Sequence, residues 1–166
     1  MLTSHLFDLS GKIAVVTGAS SGLGQGAATL LAAHGAQVVA IARREDVLQA
    51  WSTAAKGETS VLAADLSSRS TLADIAAEAS RPFGTPDILI NAAGINTRQP
   101  ADDMTDAHWD LTQNLNVAAP FFLAEALVPG MRAKGWGRII NFASLQSRRA
   151  FANGISYGAS KLISAT

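Results

Sequence analysis

The sequence predicts an α/β fold built as a doubly wound parallel sheet, and three observations predict it. Short β-branched apolar runs alternate with longer stretches at helical spacing along the 166 residues. The first run, Ile13 to Val16, empties into a glycine-rich turn and then into an alanine- and leucine-rich helical stretch. Four successive strand ends then carry small or polar residues, at Thr17-Gly18, Arg43-Arg44, Asp65-Leu66 and Asn91-Ala92-Ala93-Gly94. In doubly wound sheets those ends are where ligands bind.

Each element has its own signal. After the strand at Ile13 to Val16, the first helix is expected over Ala27 to Ala33, with Gly35 ending it as a left-handed cap. Val38 to Ile41 reads as a second strand. Glu45 to Lys56 reads as a helix with Val47, Leu48 and Trp51 at apolar spacing, stopped by Gly57. Thr59 to Ala63 is a third strand. Ser67-Ser68 is placed to cap a helix from Arg69 to Ser80, whose residues Leu72, Ile75, Ala76 and Ala79 share a face; Pro82 and Gly84 close it. Ile88 to Ile90 is a fourth strand. From Thr105, a suitable N-cap, a long helix is expected to about Arg132, kinked at Pro120 and weakened at Pro129-Gly130. Gly137 to Ala143 gives a fifth strand, and a last helix starts near Ser156. No repeat, linker or low-complexity tract divides the chain, so residues 1–166 are expected to form one domain.

Composition narrows the classes of function. Thirteen basic and thirteen acidic residues cancel, so no broad field recruits nucleic acid or an anionic membrane, and an anion must be bound locally. There is no cysteine, hence no disulfide framework and no thiolate metal site. His5, His34 and His108 are scattered without a partner at metal spacing, so no metal is expected. The N-terminus lacks the pattern of a signal peptide and no apolar run approaches the roughly 18 residues of a membrane span, so a soluble, cytoplasmic protein is expected. Trp51, Trp109 and Trp136 read as packing residues.

The chemistry starts at the turn. A strand, a glycine turn and a helix bring bare backbone N–H groups and a helix N-terminus to one point, where a phosphate can be held without a basic side chain. About 20 residues further on, dinucleotide folds place an acidic group against an adenosine ribose or a basic one against a 2′-phosphate. Here Ala42, Arg43 and Arg44 hold that place, with no carboxylate before Glu45, which favours NADP over NAD. Tyr157 and Lys161 stand four apart and so share a helix face. A phenol with a pKa of about 10 is a poor base at neutral pH, but a neighbouring ammonium stabilises its phenolate. Such a tyrosine can exchange a proton with an alcohol or a ketone. Ser144, at the end of strand five, is placed to hydrogen-bond the substrate oxygen.

Together these residues resemble the short-chain dehydrogenase/reductase family. Thr17-Gly18-Ala19-Ser20-Ser21-Gly22-Leu23-Gly24 is similar to its Thr-Gly-x-x-x-Gly-x-Gly signature, and Asp65 to its adenine-contacting aspartate, followed here by Leu66. Asn91-Ala92-Ala93-Gly94 resembles Asn-Asn-Ala-Gly with the second asparagine replaced by alanine. Ser144 and Tyr157-Gly-Ala-Ser-Lys161 resemble the catalytic serine and the Tyr-x-x-x-Lys pair. The resemblance implies a Rossmann fold, a nicotinamide cofactor (NADP, with NAD possible) held by these motif residues with Tyr157 and Lys161, and substrate contacts from Ser144, Gln146 and Tyr157. It also implies an asparagine holding a proton-relay water near the lysine; of Asn114 and Asn116, the match from Trp109 through Asn-Leu-Asn-Val selects Asn116.

Phe-Asp-Leu-Ser-Gly-Lys at the N-terminus, Gly-Leu-Gly-Gln-Gly and Asn-Leu-Asn resemble sugar-acid members of the family, 2-deoxy-gluconate 3-dehydrogenase and gluconate 5-dehydrogenase. Arg98, Arg148 and Arg149 are then candidates to meet a carboxylate. A 3-oxoacyl carrier-protein reductase is the competing reading, followed by a broad ketone reductase. Family members carry a sixth and a seventh strand and a segment that closes over substrate. None follows the Tyr-Lys helix here, so the chain is expected to be a fragment, with strand five left as a sheet edge. That opens a reading of another class, a cofactor-binding piece without turnover or one half of an assembly. A homodimer or homotetramer is implied by resemblance alone.

Overall fold

The computed structural model describes residues 7–163. Among them β1 (Ile13–Thr17), β2 (Gln37–Ala42), β3 (Thr59–Ala63), β4 (Ile88–Asn91) and β5 (Arg138–Asn141) form one parallel sheet in the order β3-β2-β1-β4-β5. The order reverses between β1 and β4, so loops leaving these two neighbours diverge and leave a crevice.

Side chains alternate across a strand, and the two cores follow that alternation. Ala14, Val16, Val38, Ala40 and Ile90 pack on one face against α1 (Gly22–Ala33) and α2 (Glu45–Ala54), through Ala28, Ala32, Leu48 and Trp51. Val15, Val39, Ile41 and Leu89 pack on the other face against α3 (Leu72–Ala79) and a long helix whose buried stripe is Ala119, Leu123, Leu127 and Met131. Trp51 is a packing residue, its indole N–H donating to Thr29 Oγ1 at 2.9 Å. At the opposite end from the crevice, buried Asp87 accepts from the Ile13 N–H at 2.9 Å and from Lys134 Nζ at 3.0 Å, tying the start of β1 to the end of that long helix.

Several boundaries differ from the sequence expectation; α2 ends at Ala54 rather than Lys56, and β5 spans Arg138–Asn141 rather than Gly137 to Ala143. α1 begins at Gly22, not Ala27, because its first turn is stabilised by close backbone packing on Gly18 that glycine alone permits. The Arg69 to Ser80 segment opens as a 3₁₀ turn (Arg69–Thr71), and no side chain caps it; Ser68 Oγ pairs with Ser70 Oγ instead. The expected long helix is divided into α4 (Asp106–Gln113), a π-helical turn (Asn114–Ala118) and α5 (Ala119–Ala133). Pro120, expected to kink a continuous helix, sits in the first turn of α5, where its missing N–H costs least; the widened turn precedes it.

Other expectations hold. Thr105 caps α4, accepting from the His108 N–H at 3.3 Å, and Gly35 takes φ +92° at the end of α1. The last helix, α6 (Ile155–Ile163), follows β5. Among the described residues β5 pairs with β4 alone, leaving Ile139 and Ile140 at 40 % and 49 % exposure on an open sheet edge. No helix among the described residues is long and apolar enough to cross a membrane.

Candidate active site

The crevice at the carboxyl ends of the strands is a cavity of about 380 Å³. Of the residues assigned to a cofactor by sequence, Gly18, Ser20, Ser21, Leu23, Gly24, Arg43, Arg44, Asp65, Leu66, Ala92 and Gly94 line it; Ala42, Ala64, Ala93 and Leu115 join them. Of these four, Ala42 and Ala93 stand beside or within the quoted motifs, whereas Ala64 and Leu115 carry no motif signal. Gly22 stands outside the lining, at φ +56° where α1 starts. Asn91 lies beneath the floor, 4 % exposed, its Nδ2 donating to Asn141 Oδ1 at 2.9 Å.

The floor is built by close approach. Gly18 has φ +68°, and a Cβ there would come within 2.7 Å of the Ala93 nitrogen. Thr17 Oγ1, buried beneath, accepts from both the Ala92 and Ala93 N–H groups at 3.1 Å, which fixes the ends of β1 and β4 to each other. Ser21 precedes α1 in extended conformation and makes no side-chain capping bond, so the first turn of α1 faces the cavity as backbone.

Charge is concentrated at one end. Arg44 donates to Ser20 three times, from Nε to Oγ at 3.2 Å and from Nη2 to Oγ at 3.0 Å and to the carbonyl at 3.1 Å. Asp65 accepts from the Ser67 N–H at 2.9 Å. That bond first, then the Ser67 hydroxyl and, less, the Arg43 guanidinium, hold its carboxyl below the ordinary carboxylate value.

The other end meets α6. A Cβ on Gly94 would stand 3.3 Å from Asn116 Oδ1 and 3.8 Å from Lys161 Nζ, so both groups lie next to a glycine that lines the cavity, without lining it themselves. Lys161 is 7 % exposed; its Nζ donates to the Phe142 carbonyl at 2.7 Å and lies 5.7 Å from the centre of the Tyr157 ring. Burial lowers its pKa from the ordinary lysine value. Asn116, within the π turn, grips the loop after β4 twice: Oδ1 accepts from the Ile95 N–H and Nδ2 donates to the Ile95 carbonyl, both at 2.9 Å. Asn114 has no such bond to that loop; both asparagines line a separate apolar groove.

Ser144, expected at the end of strand five, lies beyond β5, which ends at Asn141, and caps a 3₁₀ turn (Leu145–Ser147), its Oγ accepting from the Gln146 N–H at 3.2 Å. A hydroxyl that accepts once still has its hydrogen to donate. Gln146 lies over Gly154, where a Cβ would overlap its side-chain amide. Arg98 takes φ +48° on the loop after β4, and Arg148 and Arg149 are exposed on the loop after β5; the structure does not bring the three together. His34 ends α1, and His108 contacts Thr105 and Gln99 beside α4; His5 lies outside the described residues.

A family model described as short chain dehydrogenase matches residues 12–164. The chain belongs to the short-chain dehydrogenase/reductase family. It is 35 % identical over 155 residues to the NAD-dependent glycerol dehydrogenase of Listeria innocua, covering 93 % of this chain and 61 % of that protein. It is 37 % identical over 159 residues to gluconate 5-dehydrogenase of Gluconobacter oxydans, covering 94 % and 62 %. A metagenomic short-chain oxidoreductase solved in complex with NADP superposes with a TM-score of 0.89 at 39 % identity, over 95 % of this chain and 73 % of that one. The chain thus spans about three fifths of the length of these two curated dehydrogenases.

Proposed function

We propose that this short-chain dehydrogenase/reductase chain binds a nicotinamide dinucleotide and supports hydride exchange between it and a secondary alcohol or ketone. The observation that carries this reading is continuity: one cavity runs from Arg43, Arg44 and Asp65, past the glycine turn, to Gly94, where Lys161 and Asn116 begin. The residues fit the group. The turn admits backbone at contact distance and offers the N-terminus of α1 to a pyrophosphate. The Arg43–Arg44 end offers guanidinium donors to a 2′-phosphate, which supports NADP, and Arg44 already anchors Ser20 in the turn. The solved metagenomic oxidoreductase holds NADP, while the glycerol dehydrogenase is NAD-dependent.

The bound dinucleotide would supply or accept the hydride. Tyr157 would take the hydroxyl proton of an alcohol, or return it to a ketone oxygen, and the Lys161 ammonium beside it would favour the phenolate. Ser144 would donate to the same substrate oxygen and stabilise the charge that develops on it. Asn116 would hold the relay beside Lys161, with Gln146 bordering the substrate. A sugar acid is the preferred substrate class, on the likeness to gluconate 5-dehydrogenase. A 3-oxoacyl carrier-protein reductase is the second reading, because solved reductases of that description superpose on this chain. A cytoplasmic setting and a homo-oligomer belong to the same proposal; exposed Phe121, Ile155 and Leu162 offer apolar contact on α5 and α6.

The test is a fluorescence titration with NADPH and NADP, followed by absorbance-monitored turnover of 5-ketogluconate and simple ketones. Binding with turnover in the wild type, and in Tyr157→Phe binding within about twofold but turnover reduced at least 100-fold, is the expected result. Binding without turnover would reduce the chain to a cofactor-binding piece, and full activity in Tyr157→Phe would remove tyrosine from its role.

A further inference from the structure

Tyr157 and Lys161 are set on a nine-residue helix, α6, that is docked by polar contacts rather than by an apolar stripe. Its buried residues are Ser156, Ser160 and Lys161, at 2 %, 0 % and 7 % exposure. Ser156 Oγ donates to Thr112 Oγ1 at 3.4 Å, and Gln113 Nε2 donates to the Ser156 carbonyl at 3.0 Å. Ser160 differs from Ser156 in its partner. Its Oγ donates to the Tyr157 carbonyl at 2.7 Å and accepts from Asn116 Nδ2 at 3.0 Å. Asn116 in turn holds both backbone groups of Ile95, the residue after Gly94. One serine hydroxyl therefore joins the backbone of Tyr157, through Asn116, to the loop that forms the far end of the cavity.

We propose that Ser160 is a positioning residue for catalysis, fixing α6 to Asn116 so that Tyr157 and Lys161 keep their place relative to Gly94. The inference rests on the oxidoreductase reading for its consequence, and on geometry for its cause. Polar contacts suit this task because a hydrogen bond fixes direction as well as distance, whereas apolar packing tolerates sliding. Ser160 acts through Asn116 and the backbone, and does not itself meet substrate. Removing the hydroxyl loses one donor and one acceptor inside a 0 % exposed site, and α6 is freed to shift by the fraction of an ångström that catalytic geometry notices.

The sequence supplies the probe. Tyr157 is the single tyrosine of the chain, so the ultraviolet tyrosinate band reports on it alone. The experiment compares pH titrations of that band in wild type, Ser160→Ala and Ser156→Ala, the last being an equal truncation on the same helix whose hydroxyl bonds Thr112. NADPH affinity, turnover and the urea midpoint are measured alongside. With Lys161 less well placed, the Ser160→Ala titration moves upward by about half a unit or more, while Ser156→Ala stays with wild type. Turnover falls about tenfold or more in Ser160→Ala, with NADPH affinity unchanged within about twofold. Superimposable titrations in all three proteins overturn the proposal, as does an equal change in both variants, which would make Ser160 part of general helix docking. A wild type that binds NADPH without turnover overturns the catalytic reading alone, because the titration needs no turnover.

Discussion

Gly24 and Gly26 stand two residues apart in one motif, and a methyl group added to each has opposite consequences. A Cβ on Gly24 would meet the Gly18 carbonyl oxygen, lie 2.7 Å from the Gly18 carbonyl carbon and 3.0 Å from the Thr17 oxygen, all backbone that cannot swing aside. A Cβ on Gly26 meets nothing within 4 Å. Gly24→Ala must therefore push α1 off the end of β1; the expected cost is about 2 kcal/mol, with NADPH binding weakened on the order of 30-fold as the turn deforms. Gly26→Ala gains helix propensity, about 0.5–1 kcal/mol, and leaves binding intact. Urea denaturation and NADPH fluorescence of the two variants check this, and equal behaviour would contradict it. The sequence alone made the motif legible as a whole, but treated its glycines alike. Which of them carries close contact depends on β1 and β4 lying side by side, a long-range fact that no local spacing contains.

Elements divide in the same way between those specified locally and those specified by contact. Thr105 caps α4 with its own side chain, and that bond spans three residues, so the sequence sufficed to place it. Thr105→Ala should lower stability by about 1 kcal/mol, read as a lower urea midpoint with unchanged slope, because it removes both the cap and the hydroxyl's contact with the His108 ring; an unmoved midpoint would mean that the cap does not hold α4. The strands, too, were legible, because a sheet covered on both faces leaves near-continuous apolar runs such as Ile13 to Val16. The π turn was not. Nothing in Asn114-Leu115-Asn116-Val117-Ala118 departs from an ordinary helical pattern, and the widened turn coincides with the bonds from Asn116 to Ile95 and Ser160, which come from two other parts of the chain. A helix whose irregular turn holds a site residue is the kind of element that propensity cannot locate.

At the scale of the molecule the sheet is unevenly covered. β1, β2 and β4 are buried on both faces, while every residue of β5 is exposed and its outer edge offers unpaired backbone beside Ile139 and Ile140. Parallel sheets of this kind are ordinarily enclosed, and an open apolar edge is a template for another strand. The groove next to it, lined by Val117, Phe121, Phe122, Ile139 and Ile163, extends the same apolar surface onto α5 and α6. Together they predict concentration-dependent association of the 166-residue chain through this side. Ile140→Lys places a charge on the exposed edge, where it costs the fold less than about 0.5 kcal/mol, yet opposes pairing of a second strand. Sedimentation velocity should show the wild type growing heavier with concentration and Ile140→Lys remaining close to monomeric, with the same urea midpoint. NADPH titration of both then separates edge from site: the cavity lies at the ends of β1, β2, β3 and β4 with no residue from β5 in its lining, so affinity should be equal in the two proteins. A wild type that is monomeric throughout would show that the edge is too short, at four residues, to recruit a partner. A loss of NADPH affinity in Ile140→Lys would show instead that pairing at the edge helps to shape the cavity.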